Sequence, residues 1–91
     1  MQTMKYRVSG LVQGVGFRYS TQVFAQKIGL KGSVKNENDG TVTIIAQGDA
    51  ATLSKFIHQL PSHLSPFAKI EHVNVESLDN YPQLADFRVL Y

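Results

Sequence analysis

Cysteine and tryptophan are absent from the chain, and proline occurs three times in 91 residues. Without cysteine there is no disulfide staple and no thiolate metal site. The fold must therefore be held by its core, and a reducing compartment, the cytoplasm, is the expected setting. No apolar run approaches the ~20 residues that cross a bilayer, and the opening MQTMKYRVSG lacks the apolar stretch of a secretion signal. No membrane partner is expected. Charge is scarce as well as balanced. Nine Lys and Arg against seven Asp and Glu leave a net +2, too weak a field to draw nucleic acid by itself. The three histidines, His58, His63 and His72, match no zinc spacing. They read as surface or structural groups, with no metal and no cofactor.

What is present is ordinary globular patterning, enough for a single small domain over 1–91 with one modest core. MKYRVSGLV, residues 4–12, places Met4, Tyr6, Val8 and Val12 on one face of a strand. From about Ser20 the period changes. Thr21, Phe24, Ala25 and Ile28 make one helical stripe, and Gly29 is a good stop, so a helix is expected over 20–28. Strands follow at 30–37 and 41–48, joined by the turn formers Asn38, Asp39 and Gly40. Asp49 can cap a second helix carrying Ala50, Leu53, Phe56, Ile57 and Leu60. Pro61 and Pro66 bracket a loop. KIEHVNVESL, 69–78, is a strand whose apolar parity slips between Ile70 and Val73, which a bulge near Glu71–His72 would repair. DFRVLY, 86–91, is a short closing strand. The aromatics Tyr6, Phe17, Phe24, Phe56 and Phe87 read as core. The order β-α-β-β-α-β plus a terminal strand is that of an α+β, ferredoxin-like split β-α-β sandwich, with two helices on one face of an antiparallel sheet.

The first strand-to-helix corner, QGVGFRYST at 13–21, holds two glycines one residue apart and then Arg18. Glycines let backbone N–H groups converge. Convergent N–H groups at a helix start make an anion cradle, and a guanidinium adds a forked donor for phosphate oxygens. The same residues are also those of a tight turn beside a solvated arginine, and taken alone they favour that plainer reading over an anion site. They fit neither a Rossmann fingerprint nor a Walker A loop.

VSGLVQGVGFRYST, followed by AQKIGLKGSVKN and DGTV, resembles the acylphosphatase family. The block Gly10 to Arg18, Thr21, the run Gly32 to Asn36 and Gly40–Thr41–Val42 carry the likeness. It covers the first two-thirds of the chain in register and the remainder loosely. Ser33 stands where the family usually has an aromatic. The resemblance implies the same sandwich. It also implies hydrolysis of small-molecule acyl phosphates to a carboxylate and inorganic phosphate, and a monomer. Arg18 takes the position of the family's phosphate-binding arginine and Asn36 that of its water-orienting asparagine. Gln13, Gly14, Val15, Gly16, Phe17, Arg18 and Tyr19 would supply the phosphate-binding cradle.

Few groups suffice for that chemistry. The leaving carboxylate belongs to an acid of pKa about 4 and needs no general acid. The loose phosphoryl transition state asks for charge stabilisation and alignment, and a neutral Asn can hold a water without titrating. Two other classes stay in view. One is a non-catalytic module that binds carboxyl phosphate or carbamoyl phosphate. The other is an RNA-recognition domain, which shares the topology; however, TVTIIAQG stands where its aromatic third-strand run is required.

Overall fold

The computed structural model describes residues 1–91. Strand β1 (Gln2–Leu11) leads into helix α1 (Phe17–Lys27) and strand β2 (Lys31–Asn36). Strand β3 (Val42–Gly48), helix α2 (Ala50–Gln59), a 3-10 turn (Leu60–His63), strand β4 (Lys69–Ser77) and strand β5 (Phe87–Leu90) complete the chain. The sheet order is β4-β1-β3-β2-β5, so the two β-α-β halves interleave as expected. The segment between Pro61 and Pro66, expected as a loop, begins as the 3-10 turn.

One face of the sheet is closed by both helices. Tyr6, Val8 and Val12 from the β1 side, Val34 from β2, Val42, Ile44 and Ala46 from β3 and Phe87 from β5 are buried there. Against them pack Phe17, Phe24 and Ala25 of α1, and Leu53 and Phe56 of α2. Phe56 is the hub, with its ring 5.9 Å from that of Phe24 and 6.1 Å from that of Tyr6. All five aromatics assigned to the core lie in it. The stripe residues Ile28 and Ile57 pack at its margin, while Ala50 is exposed.

The expected bulge is present. Ser9 pairs with His72 and Gly10 with Ile70, leaving Glu71 as the extra residue on β4. The bulge lets Ile70 and Val73 both lean on the core, but Val75, on the same edge strand, stays exposed.

The sheet differs from the antiparallel expectation at one edge. Its first four strands are antiparallel, whereas β5 runs parallel to β2, which makes the sheet mixed. The path of the chain explains this. β4 ends beside the start of β1, where Leu78 N–H donates to the Thr3 carbonyl. The connector then crosses that end of the sheet. It is held midway by buried Gln47, whose amide donates to the Pro82 carbonyl at 2.6 Å and accepts from Leu84 N–H at 2.9 Å. It arrives next to Gly32, which donates to the Asp86 carbonyl. A strand that begins where β2 begins must run the way β2 runs.

Candidate active site

Helix α1 begins at Phe17, three residues earlier than the apolar stripe indicates. The reason lies at Gly16, which caps the helix with a left-handed backbone at φ 74°, following Gly14 at φ 75°. A Cβ at either position would meet nothing within 4 Å. The requirement for glycine is therefore backbone conformation rather than space, since an L side chain strains in this region. Phe17, Arg18 and Tyr19 consequently form a first helical turn rather than a loop.

That turn is left open. Gly16 offers no side-chain cap and the first turn has no acidic residue. The first main-chain bond of the helix is Ser20 N–H to the Gly16 carbonyl at 3.0 Å. No backbone N–H from Gln13 to Tyr19 donates to a protein acceptor. Gly14 and Gly16 to Tyr19 of this run, with the positive end of the helix dipole and Arg18, line a cavity of about 520 Å³.

Gly14, Gly16, Phe17, Arg18, Tyr19 and Asn36 all line that cavity, so the two separate stretches singled out in the sequence converge. Arg18 is half-buried. Its Nη1 donates to the Leu90 carbonyl at 3.4 Å, and its guanidinium carbon stands 4.8 Å from the centre of the Tyr91 ring. Asn36 ends β2 from the other side. Its amide makes no hydrogen bond to the protein, and its Oδ1 is buried. A buried amide oxygen without a partner calls for an account beyond packing. The hydroxyl of Thr21, buried in α1 among the apolar stripe, is the other such atom.

Two residues of the expected backbone cradle send their side chains elsewhere. The Val15 side chain packs against the core. Gln13 turns away from the cavity toward the β2–β3 hairpin, where its Nε2 donates to the carbonyls of both Glu37 and Thr41 at 2.8 Å. Both bonds lie at the hairpin neck, which Glu37 N–H to the Thr41 carbonyl also closes at 2.8 Å. Gln13 thus ties the glycine turn to the residue next to Asn36. The hairpin is stiffened further along. Thr41 donates its hydroxyl and its N–H to Asp39, and Arg7 pairs with the same carboxylate. The Thr41 bonds, with help from Arg7, hold Asp39 down at about 2.

The cavity has walls that the sequence reading did not assign. Gln22 sits one turn beyond Arg18, and Arg88, Val89 and Tyr91 come from the β5 end. The i, i+4 spacing from Arg18 could have flagged Gln22. Nothing in the sequence says that β5 pairs beside β2, and only that pairing brings Arg88 to the cavity. No group of three or more His, Asp or Glu side chains converges to hold a metal ion. The His63 ring stacks on Phe24 at 3.8 Å, while His58 and His72 bond locally to the Ser54 carbonyl and the Asn74 amide oxygen. No helix is long and apolar enough to cross a membrane.

Comparison with known proteins accounts for this combination of fold and corner. Residues 4–89 match the family model described as Acylphosphatase. The acylphosphatase of Lactobacillus johnsonii is 45% identical over the full length of both chains. That of Thermotoga maritima is 41% identical, covering all of this chain and 99% of the other. The crystal structure of acylphosphatase from Bacillus subtilis superposes with a TM-score of 0.93 at 37% identity, covering both chains completely.

Proposed function

The chain belongs to the acylphosphatase family, an enzyme family, and from that premise we propose that its open corner carries the reaction. The phosphoryl group of an acyl phosphate sits in the turn 13–19, its non-bridging oxygens taking the free N–H groups and the fork of Arg18. Binding draws Arg18 away from the Leu90 carbonyl and the Tyr91 ring. The Asn36 amide holds a water opposite the acyl oxygen. The water oxygen bonds to phosphorus, the bond from phosphorus to the acyl oxygen breaks, and the electron pair leaves with the carboxylate. The water's proton passes to a phosphoryl oxygen, so the products are a carboxylate and inorganic phosphate. Charge moves toward donors already in place, which is where most of the acceleration arises. No group has to titrate near neutrality, and no metal ion takes part. In the same reading residues 1–91 form one domain, a monomer working in the cytoplasm on a dissolved substrate.

The observation that carries this reading is that Gly14 and Gly16 to Tyr19, whose N–H groups have no acceptor, line a common cavity with the Arg18 guanidinium and with Asn36, whose buried amide oxygen is unpaired. The test is phosphate release from benzoyl phosphate by the purified protein, before and after chelation with EDTA. Release that survives chelation is expected. Binding of inorganic phosphate without turnover would make the chain a binding module, and activity restored by a divalent ion would remove the metal-free mechanism.

A further inference from the structure

The cavity is larger than the phosphoryl group that the corner can hold. A water's share of liquid volume is about 30 Å³, so phosphorus and its oxygens leave most of the 520 Å³ for the acyl portion. Val12, Phe17 and Val89 provide apolar wall for a carbon skeleton. One further charged residue lines that space: Arg88, from β5. No Asp or Glu side chain lines it, and Arg88 also borders the neighbouring hollow in which Asp86 stands.

Arg88 is also held in a particular way. Its Nε donates to both carboxylate oxygens of Asp86, at 2.9 and 3.1 Å, and neither Nη group donates to any protein acceptor. The guanidinium is anchored by its inner nitrogen, with its outer edge left free. That free edge is the geometry that takes a carboxylate or phosphate bidentately. Arg18 and the open N–H groups already answer the charge of the phosphoryl group, so Arg88 is left over.

We infer that Arg88 forms an acyl-group subsite, selecting acyl phosphates whose acyl portion carries a second anionic group. The inference rests on the reaction proposed above. Arg88 is well exposed, so the selectivity is modest and salt-sensitive, of the size expected for a single exposed ion pair.

The probes are benzoyl phosphate and 3-carboxybenzoyl phosphate, and the quantity read is the ratio of their kcat/KM values. Comparing that ratio between wild type and Arg88→Gln cancels the intrinsic reactivity of each substrate. The wild-type ratio should exceed that of Arg88→Gln by about three- to five-fold. Arg88→Lys should keep part of the preference and Arg88→Glu should reverse it. Asp86→Asn, which removes the competing carboxylate, should raise the ratio. The wild-type ratio should also fall toward that of Arg88→Gln as salt rises, a readout that needs no variant to fold. Equal ratios in wild type and Arg88→Gln, an equal loss on both substrates, or a wild-type ratio indifferent to salt would each overturn the subsite while leaving the reaction standing. Failure to hydrolyse either substrate would instead overturn the reaction, and this inference with it.

Discussion

The two halves of the fold turn the same corner in opposite ways. Each passes from a strand into a helix lying on the same sheet face, β1 into α1 and β3 into α2. At the second corner Asp49 stands at the cap with extended backbone, and its Oδ1 accepts from Thr52 N–H at 2.7 Å. The chain supplies its own anion, and that bond holds the Asp49 carboxyl below its ordinary value. At the first corner the cap is a left-handed glycine with no side chain, and the N–H groups have no acceptor. Glycine at a cap gives up only a few tenths of a kcal/mol against the best cap residues. One corner is therefore closed by the chain itself and the other left open, at little thermodynamic cost, and in the proposed reading the opening takes the phosphoryl group. On the proposed function, a phosphate seat in this fold asks only for one helix start that its own side chains do not fill.

The comparison is broken most severely by removing the cation at the open corner. Arg18→Ala should lower kcat/KM for benzoyl phosphate by ~10³-fold or more. Arg18→Lys should fail nearly as badly, because a point charge does not reproduce the fork. The circular dichroism melt should move little, since the only protein bond of this guanidinium is the long one to the Leu90 carbonyl. Near-normal turnover by either variant would return the corner to an ordinary turn. Next in size is Asn36→Ala, which should cost ~10²-fold in kcat, as expected for the loss of one oriented group. Inhibition by inorganic phosphate should stay within a few-fold of wild type, because a group acting mainly in the transition state leaves ground-state affinity alone. If phosphate affinity fell together with kcat in a folded protein, Asn36 would belong to the cradle.

The sequence announced the first corner better than its geometry. Gly14, Gly16, Arg18 and the downstream Asn36 could be picked out by residue type and by family likeness, and the structure brings all four to one cavity. The period of the apolar stripe could not reveal that the helix begins at Phe17, because Phe17, Arg18 and Tyr19 are set by the backbone of Gly16 and not by the stripe. The parity slip in 69–78 was legible because strand side chains alternate strictly, and it located the bulge at Glu71. The pairing of β5 was not legible. Four residues carry too little pattern to choose an edge, and the choice is made by the connector that Gln47 pins from a distant strand. Everything that arrives with β5 was invisible for the same reason, including Arg88 and the contacts of Leu90 and Tyr91 with Arg18.

Gln13 shows how the open corner is kept in register with Asn36, and it offers a milder break. The family likeness put its backbone in the cradle, and its side chain bridges the carbonyls of Glu37 and Thr41. Gln13→Leu keeps much of the bulk and removes both donors. It should leave Arg18 and the N–H groups in place but loosen the neck that sets the position of Asn36. A misplacement of an ångström can cost 10²-fold, and a loosened tie should cost less, about ten-fold in kcat. Phosphate inhibition should change less than kcat, and the melting temperature should fall because two part-buried carbonyls lose donors. A loss of phosphate affinity as large as the loss in kcat would mean that the Gln13 side chain supports the cradle itself and not the position of Asn36.

The smallest effect is expected from opening the closed corner. Asp49→Ala removes the cap of α2 and touches nothing at the cavity, so kcat and KM at 25 °C and pH 7 should match wild type while the melting temperature drops. The pH dependence then identifies the cause. Asp49 has a depressed pKa in the folded protein, as does Asp39 at about 2, against an ordinary aspartate value near 4. A depressed carboxylate stabilises the fold above its unfolded pKa, and that contribution is lost as pH falls through the folded one. Wild type should therefore lose melting temperature from about pH 4 downward. The gap between wild type and Asp49→Ala should be full at pH 7 and should narrow below about pH 4, because protonation weakens the cap that the substitution has already removed. The variant keeps the part of the acid slope that Asp39 supplies through the hairpin. Thermal melts of both proteins at pH 7, 4 and 2.5 measure this directly. A gap that stayed constant across that range would mean that the Asp49 carboxylate contributes nothing as an anion, and the contrast between a corner closed by the chain's own charge and one left open would fail at its closed end.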